Sequence, residues 1–214
     1  MDLTAYDHIL WDWNGTLLDD LDLCLDVINQ LLQARDLPAV SRTKYREIFG
    51  FPVIDYYRQL GFDFSREPFE KVSTEFILRY EAGRSGCPLM PAAVPVLRKM
   101  RELGYTQSVL SASRADYLTR AVAAYNLDDY FHSLNGLDNH HAAGKIERGA
   151  RLLRSQNLQP DSLLLIGDTL HDAEVAAALD LDCLLIAAGH HSRARLDRAG
   201  VPVLNSLGEL NREL

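Results

Sequence analysis

The chain has 214 residues, 47% of them hydrophobic, which is enough for one well-packed core with room for a small insert. The formal net charge is −8 and charged residues make up 24%, a composition that is ordinary for a globular protein and argues against a nucleic-acid partner. We expect no membrane partner, because no signal-peptide pattern opens the chain and no apolar run reaches spanning length. Three isolated cysteines without metal-ligand spacing, Cys24, Cys87 and Cys183, favour free thiols and a cytoplasmic location.

The first half of the chain has the pattern of one strand followed by helices. Residues 8–11 are short and apolar, which predicts a buried strand. Leucine and isoleucine then recur at three- and four-residue spacing over residues 21–32, which predicts an amphipathic helix. Helical patterns continue over residues 41–83, with breaks near the sequences FGFP and LGFDFS.

The second half alternates between strands and helices. The helix predicted at 172–181 has no glycine after it, so Asp180 or Asp182 is expected to take the turn. Alternation of this kind implies parallel pairing with helices on both faces of the sheet. We therefore predict an α/β fold with a Rossmann-like parallel sheet built from residues 1–16 and 84–214, and a small α-helical cap at residues 17–83 inserted after the first strand. The predicted strands are 106–111, 131–136, 162–167 and 183–189, and the other predicted helices are 92–104, 115–127 and 145–158.

Polar side chains follow four of the predicted strands. In open parallel sheets ligands bind beyond the carboxyl ends of the strands, so these groups are expected to meet at one edge. The polar residues are Asp12, Asn14 and Thr16 after the first strand, Ser111 and Ser113, with Ala112 between them, at the end of the second, Lys145 after the third, and Asp168, Thr169 and Asp172 after the fourth.

In order and spacing, these residues resemble the four motifs of the haloacid dehalogenase superfamily, whose members are mostly phosphatases. The helical insert is similar to the family's cap, and the stretch Phe49-Gly50-Phe51-Pro52 resembles the cap loop of the phosphoglycolate phosphatase branch. The resemblance covers most of the chain. The motifs read Asp12-Trp13-Asn14-Gly15-Thr16, Val109-Leu110-Ser111, Lys145, and Gly167-Asp168-Thr169-Leu170-His171-Asp172.

The resemblance implies hydrolysis of a small phosphorylated metabolite through an aspartyl phosphate, with Mg²⁺ as cofactor. Asp12 is the implied nucleophile, and Ser111 and Lys145 are implied to grip the phosphoryl oxygens. The implied metal ligands are Asp12, the backbone carbonyl of Asn14, Asp168 and Asp172, the last of which holds either a metal-bound water or Lys145. The implied phosphate-binding positions are Trp13, Gly15, Thr16, Ser111, Ala112 and Lys145.

The amide at position 14 departs from the family pattern, which usually has a second aspartate there as the general acid. A carboxamide cannot relay a proton, and general acid–base help is typically worth about 10²- to 10⁴-fold in rate. Three alternatives therefore stay open. The enzyme uses a leaving group that needs little protonation, or a different acid; the protein binds a phosphorylated ligand with little catalysis; or it is a phosphonatase-like enzyme that uses a cap lysine, Lys44 or Lys71.

Histidines on the loops of the reactive edge are candidates for a substitute acid, because imidazole titrates near neutrality. Solvated or hydrogen-bonded loop histidines are the plainer interpretation. The sequence carries no signal for the substrate or the oligomeric state. The five histidines are His140, His141, His171, His190 and His191.

Overall fold

The computed structural model describes residues 3–137 and 144–214. Its centre is a six-stranded, all-parallel sheet in the order β3-β2-β1-β4-β5-β6. The strands are β1 (His8–Trp11), β2 (Thr106–Arg114), β3 (Ser133–Leu137), β4 (Leu163–Gly167), β5 (Asp182–Ile186) and β6 (Val203–Leu204). The helices are α1 (Leu21–Gln33), α2 (Arg42–Ile48), α3 (Val53–Gln59), α4 (Phe69–Gly83), α5 (Ala93–Glu102), α6 (Ala115–Ala124), α7 (Gly144–Gln156), α8 (Leu170–Ala178), α9 (Arg193–Leu196) and α10 (Leu207–Glu213).

Two apolar clusters cover the two faces of the sheet, because the central strands β1 and β4 are buried at every position. Ile9 and Trp11 of β1 face a cluster that includes residues of α5, α6 and α10. Leu10, between them, faces the opposite cluster, to which α7 and α8 contribute. Helices on both faces are the arrangement that strand–helix alternation predicts, and the α/β prediction is confirmed.

The helices α1–α4 lie between β1 and β2 in the chain and have an apolar cluster of their own. It is built from α1 residues such as Ile28 and Leu31 together with three aromatic residues, Tyr45, Tyr56 and Tyr57. A separate cluster supports our proposed division into a core, residues 1–16 and 84–214, and a cap, residues 17–83.

Some element boundaries differ from those predicted. β2 continues to Arg114, three residues past the predicted end, because the strand resumes pairing with Leu137 of β3 after an irregularity that follows Leu110. β6 was not predicted, since two residues carry too little pattern. Asp180 has a φ of 56° and takes the turn after α8, as expected in the absence of a glycine. Among the described residues, no helix combines the length and apolar character needed to cross a bilayer.

Candidate active site

The candidate site lies at the carboxyl ends of the central strands. β1 ends at Trp11, and the backbone N–H of Asp12 continues the ladder by donating to the carbonyl of Ile166 in β4, 2.8 Å away. The chain then turns sharply, and Gly15 adopts a φ of 75°, a conformation that favours glycine. This turn leaves the Asp12 carboxylate buried at the end of the strand, with 7% of the residue exposed.

Three carboxylates and one ammonium meet at this point. Oxygens of Asp12, Asp168 and Asp172 lie within 4.8 Å of one another. The Nζ of Lys145, at the start of α7, donates to Asp12 Oδ1 and to Asp172 Oδ1, each at 2.6 Å. The four residues, predicted from three separate segments of the chain, are brought together and buried.

The single ammonium does not balance the three acids, and this imbalance shapes their protonation. Burial raises the pKa of Asp12 to about 6, although Lys145 opposes the rise. Burial also raises the pKa of Asp168 to about 8, where His190 opposes the rise and the other two acids add to it. Burial acts on Asp172 in the same sense, but Lys145 and hydrogen bonds hold the pKa of Asp172 below its usual value. Burial alone would lower the pKa of Lys145, but its two carboxylate partners raise it.

Asp168 is enclosed by two glycines. A methyl group on Gly15 would lie 2.3 Å from Asp168 Oδ2, and one on Gly189 would lie 2.1 Å from the same oxygen. The hydroxyl of Thr16 bridges the pair of acids, donating to Asp168 Oδ1 at 3.1 Å and to Asp12 Oδ2 at 3.2 Å. Only backbone without a side chain fits on either side of this carboxylate.

The donor set fits a hard divalent cation. Carboxylate oxygens are the ligands that Mg²⁺ prefers, and the excess negative charge of the cluster is of the right sign and size for one such ion. Asp12 and Asp168 are the better placed ligands, because four protein groups donate to the oxygens of Asp172 and fewer donate to those of Asp12 and Asp168. The donors to Asp172 are Lys145 at Oδ1 and the Asp168 N–H, Thr169 N–H and Thr169 hydroxyl at Oδ2. Asp172 therefore holds Lys145, which is one of the two roles that the resemblance implies for it. The role of the Asn14 backbone carbonyl as a metal ligand stays a prediction.

β2 brings Ser111 to the same edge. Its hydroxyl is buried and accepts a hydrogen bond from the backbone N–H of Ser113 at 3.0 Å. Ala112 lies between these serines within β2, and Trp13 is packed in the core cluster. The phosphate-binding roles of Ser111, Ala112 and Trp13 stay predictions.

The Asn14 carboxamide is fixed by three hydrogen bonds. Its Nδ2 donates to Asp20 Oδ2 at 2.7 Å and to the hydroxyl of Tyr80 at 2.6 Å, and its Oδ1 accepts from the hydroxyl of Ser113 at 2.7 Å. Sequence reasoning missed Asp20 and Tyr80. In the sequence, Asp20 stands in an acidic helix start and resembles an N-cap, yet its side chain makes no cap hydrogen bond to α1.

The described histidines are mostly engaged by protein groups. His190 Nε2 lies 3.2 Å from Asp20 Oδ1 and its Nδ1 lies 3.0 Å from the Tyr45 hydroxyl, while its backbone N–H donates to Asp168 at 2.6 Å. Burial opposes protonation, but the Asp20 carboxylate outweighs burial and raises the pKa of His190 to about 9. Because both of its ring nitrogens face protein groups, the imidazole of His190 contributes to the structure of the site.

His191 is held as a neutral imidazole. Its Nδ1 accepts from the Leu170 N–H at 3.0 Å and its Nε2 donates to the Phe49 carbonyl at 2.9 Å. Burial lowers its pKa to about 3. His171 pairs through Nδ1 with Glu174 at 3.1 Å. The substitute-acid role of the histidines stays a prediction, and His140 and His141 lie outside the described residues.

The cap closes over the loop after β5. Arg46 of α2 donates to the carbonyls of Ala187 and His191 at 2.8 Å and 2.7 Å. The ring of Phe49 lies 5.2 Å from that of His190, so the FGFP loop packs against the site. This contact supports the cap role implied by the resemblance.

The two cap lysines are exposed to solvent. Lys44 is exposed on α2, and Lys71 pairs with Glu67 at 3.0 Å with 72% of its side chain exposed. A lysine that forms a Schiff base needs a desolvating pocket or a cationic neighbour to be deprotonated near neutral pH. Neither lysine has the burial that such chemistry needs, which disfavours the phosphonatase alternative.

Comparison with known proteins defines the family. Residues 9–186 match the haloacid dehalogenase-like hydrolase model, and the chain belongs to that family. A phosphoglycolate phosphatase from Rhodobacter capsulatus is 24% identical over 190 residues, which cover 85% of this chain and 84% of that protein. The tyrosine-protein kinase PtkA from Mycobacterium tuberculosis is 22% identical over 202 residues, which cover 92% of this chain and 67% of that protein.

Solved structures with a similar fold include one of a predicted phosphatase. The crystal structure of a predicted phosphatase from Clostridium acetobutylicum superposes with a TM-score of 0.81 at 19% identity and covers 97% of both chains, which supports the fold alone. The family match and the relatives together confirm a phosphatase-type hydrolase of the phosphoglycolate phosphatase-like group, as the four motifs predict.

Proposed function

We propose that this protein is a Mg²⁺-dependent phosphatase that hydrolyses a small phosphorylated metabolite through an aspartyl phosphate on Asp12. The observation that carries the proposal is the buried cluster in which Lys145 Nζ lies 2.6 Å from both Asp12 and Asp172, with Asp168 beside them. Burying a carboxylate costs free energy, and acids whose pKa values are shifted by burial and by charged neighbours cluster at functional sites.

In the proposed reaction an oxygen of Asp12 attacks phosphorus and the ester oxygen departs, so that the phosphoryl group is transferred to the carboxylate. Lys145 offsets the charge of the phosphoryl oxygens, and Lys145 and Ser111 together orient them. Asp12 and Asp168 would hold the Mg²⁺ ion, whose charge offsets the repulsion between the nucleophile and the phosphate. Water then hydrolyses the aspartyl phosphate and restores the carboxylate. The cap excludes bulk water while the ester is bound.

The proposal is tested with a panel of phosphorylated metabolites that includes phosphoglycolate, the substrate in the name of a relative. Wild type is assayed with Mg²⁺ and with chelator, beside Asp12→Asn as the blank and Asp7→Asn, an exposed aspartate, as the matched charge control. Mg²⁺-dependent phosphate release is expected from wild type and Asp7→Asn alone, with a phosphorylated Asp12 peptide in a rapidly quenched digest. Equal release by Asp12→Asn would contradict the proposal.

A second candidate function is binding of a phosphorylated ligand with little turnover. It is favoured by the carboxamide of Asn14, which three hydrogen bonds hold in place and which has no proton to transfer. The two candidates differ in their response to the leaving group. A phosphatase that lacks an acid still cleaves p-nitrophenyl phosphate, because its leaving group departs as a stable anion. A binding protein binds the phosphorylated ligand saturably but cleaves neither that ligand nor p-nitrophenyl phosphate.

A further inference from the structure

The feature that the proposed reaction leaves unused is the carboxylate of Asp20. It is 1% exposed and stands at the junction of the core and the cap, just before α1. Its Oδ1 accepts from the Gly15 N–H at 2.9 Å, and its Oδ2 accepts from Asn14 Nδ2 and from the Tyr80 hydroxyl, each at 2.7 Å. A buried carboxylate keeps its charge only where donors surround it. Asn14 and Gly15 of the loop that carries the nucleophile supply two of them, Tyr80 of the cap supplies a third, and His190 Nε2 lies 3.2 Å from Oδ1.

The chemistry of this contact restricts what position 14 can carry. The atom of residue 14 that faces Asp20 is 2.7 Å from a carboxylate oxygen, so it must be a donor. An aspartate at position 14 would place two carboxylates in contact in a buried site with no donor between them. The amide of Asn14 supplies the donor without adding a second charge.

We infer that Asp20 is a positioning residue of the phosphoryl site, and that residues 14 and 20 form a matched pair in which one carries the amide and the other the acid. This inference rests on the proposed function for its catalytic consequence. Asp20 fixes the Asn14 carboxamide and, through the Gly15 N–H, the turn that follows Asp12. A carboxylate at position 14 is accommodated when position 20 supplies the amide that donates to it.

The geometry allows the pair to be exchanged without loss of a hydrogen bond to Tyr80 or Ser113. In Asn14→Asp/Asp20→Asn, the amide of residue 20 donates to the carboxylate of residue 14, and the Tyr80 hydroxyl accepts from residue 20 and donates to residue 14. Ser113 continues to donate to residue 14, and the carbonyl oxygen of residue 20 continues to accept from the Gly15 N–H. The direction of the central hydrogen bonds is reversed, and His190 Nε2, which lies 3.2 Å from Asp20 Oδ1, then faces the carbonyl oxygen of residue 20.

A four-member cycle tests the inference: wild type, Asn14→Asp, Asp20→Asn and the double variant. Asp19→Asn is the matched control, because it removes the neighbouring, more accessible carboxylate. Melting temperature in chelator, and kcat and KM for p-nitrophenyl phosphate and for glycerol phosphate, are measured for each. Both single variants are expected to melt lower than wild type, and the double variant is expected to recover.

The changes in kcat and KM distinguish a positioning role of Asp20 from a merely structural role. Both single variants are expected to lose at least about tenfold in kcat for p-nitrophenyl phosphate, while KM stays within about threefold. The double variant is expected to regain that loss and to exceed wild type by at least about tenfold in kcat for glycerol phosphate alone, the lower part of the range that an acid supplies. Asp19→Asn is expected to match wild type in every measurement.

Additive effects of the two substitutions would overturn the inference, as would an Asn14→Asp variant that melts at the wild-type temperature and gains activity toward glycerol phosphate on its own. If the single variants are insoluble, a soluble double variant supports the pair and an insoluble double variant overturns it. The melting temperatures need no substrate. Absence of turnover in every member therefore counts against the proposed function, while the thermal cycle still decides the pairing.

Discussion

Removing the one ammonium of the carboxylate cluster has the largest expected effect on stability. Lys145→Met keeps the length and apolar stem of the side chain but deletes the Nζ that lies 2.6 Å from Asp12 and from Asp172. Asp12, Asp168 and Asp172 then share a buried site without a cation. Breaking a buried ion pair by removing one partner costs about 3 to 5 kcal/mol. For a domain of this size, each kcal/mol shifts the melting temperature by roughly 2 to 4 °C.

The expected fall in melting temperature is therefore on the order of 10 °C in chelator, followed by circular dichroism or calorimetry. Lys44→Met on the exposed surface of α2 is the matched control and should melt with wild type. Added Mg²⁺ is expected to stabilise Lys145→Met more than it stabilises wild type, because the ion restores positive charge to the cluster. A Lys145→Met protein that melts with Lys44→Met in chelator would refute the electrostatic reasoning.

Three further outcomes are expected from the site. Mg²⁺ should raise the melting temperature of wild type but not of Asp168→Asn, which a thermal shift series in Mg²⁺ checks. Gly189→Ala should lose most phosphatase activity, because its methyl group would lie 2.1 Å from Asp168 Oδ2; equal kcat in wild type and variant would contradict this. Acid should destabilise the protein through His191: its pKa is about 3 when folded and 6.5 when unfolded, so the unfolded chain binds the proton first and stability falls as the pH drops below about 6.5. Urea unfolding should show this contribution as roughly 2 kcal/mol lost by pH 5, and His191→Gln, which keeps a donor and an acceptor for Leu170 and Phe49, should lack it.

The sequence predicts the parts of this molecule that local pattern controls. The buried strand at residues 8–11 and the strand–helix alternation after residue 84 fix the sheet, because each strand must bury both faces. The clustering of Asp12 with Asp168 follows from topology, since parallel strands deliver their carboxyl ends to one edge. The role of Lys145 is harder to predict, because a lysine at a helix start is usually solvated. Only the resemblance to a family indicates that Lys145 belongs to the site.

Asp20 and Tyr80 lie beyond that kind of reasoning. Asp20 sits among Asp19 and Asp22 in a stretch that any amphipathic helix could begin with, and only the fold distinguishes the buried member from its neighbours. Tyr80 is 66 residues from Asn14 and reaches it from the last turn of α4. Their contact depends on how the cap rests on the core, and no periodicity in the sequence encodes that placement.

The hydrogen bonds around Gly15 also bear on the chemical ageing of the protein. An asparagine followed by glycine is prone to cyclise, because the glycine backbone nitrogen attacks the side-chain carbonyl and ammonia is lost. Here the Gly15 N–H donates to the Leu18 carbonyl and to Asp20, each at 2.9 Å, and the Asn14 carboxamide is clamped on both ends. The native fold withholds this nitrogen from the reaction. Deamidation at position 14 should therefore accumulate only in chains that unfold during storage, and the fraction that opens to aspartate would place a second carboxylate beside Asp20.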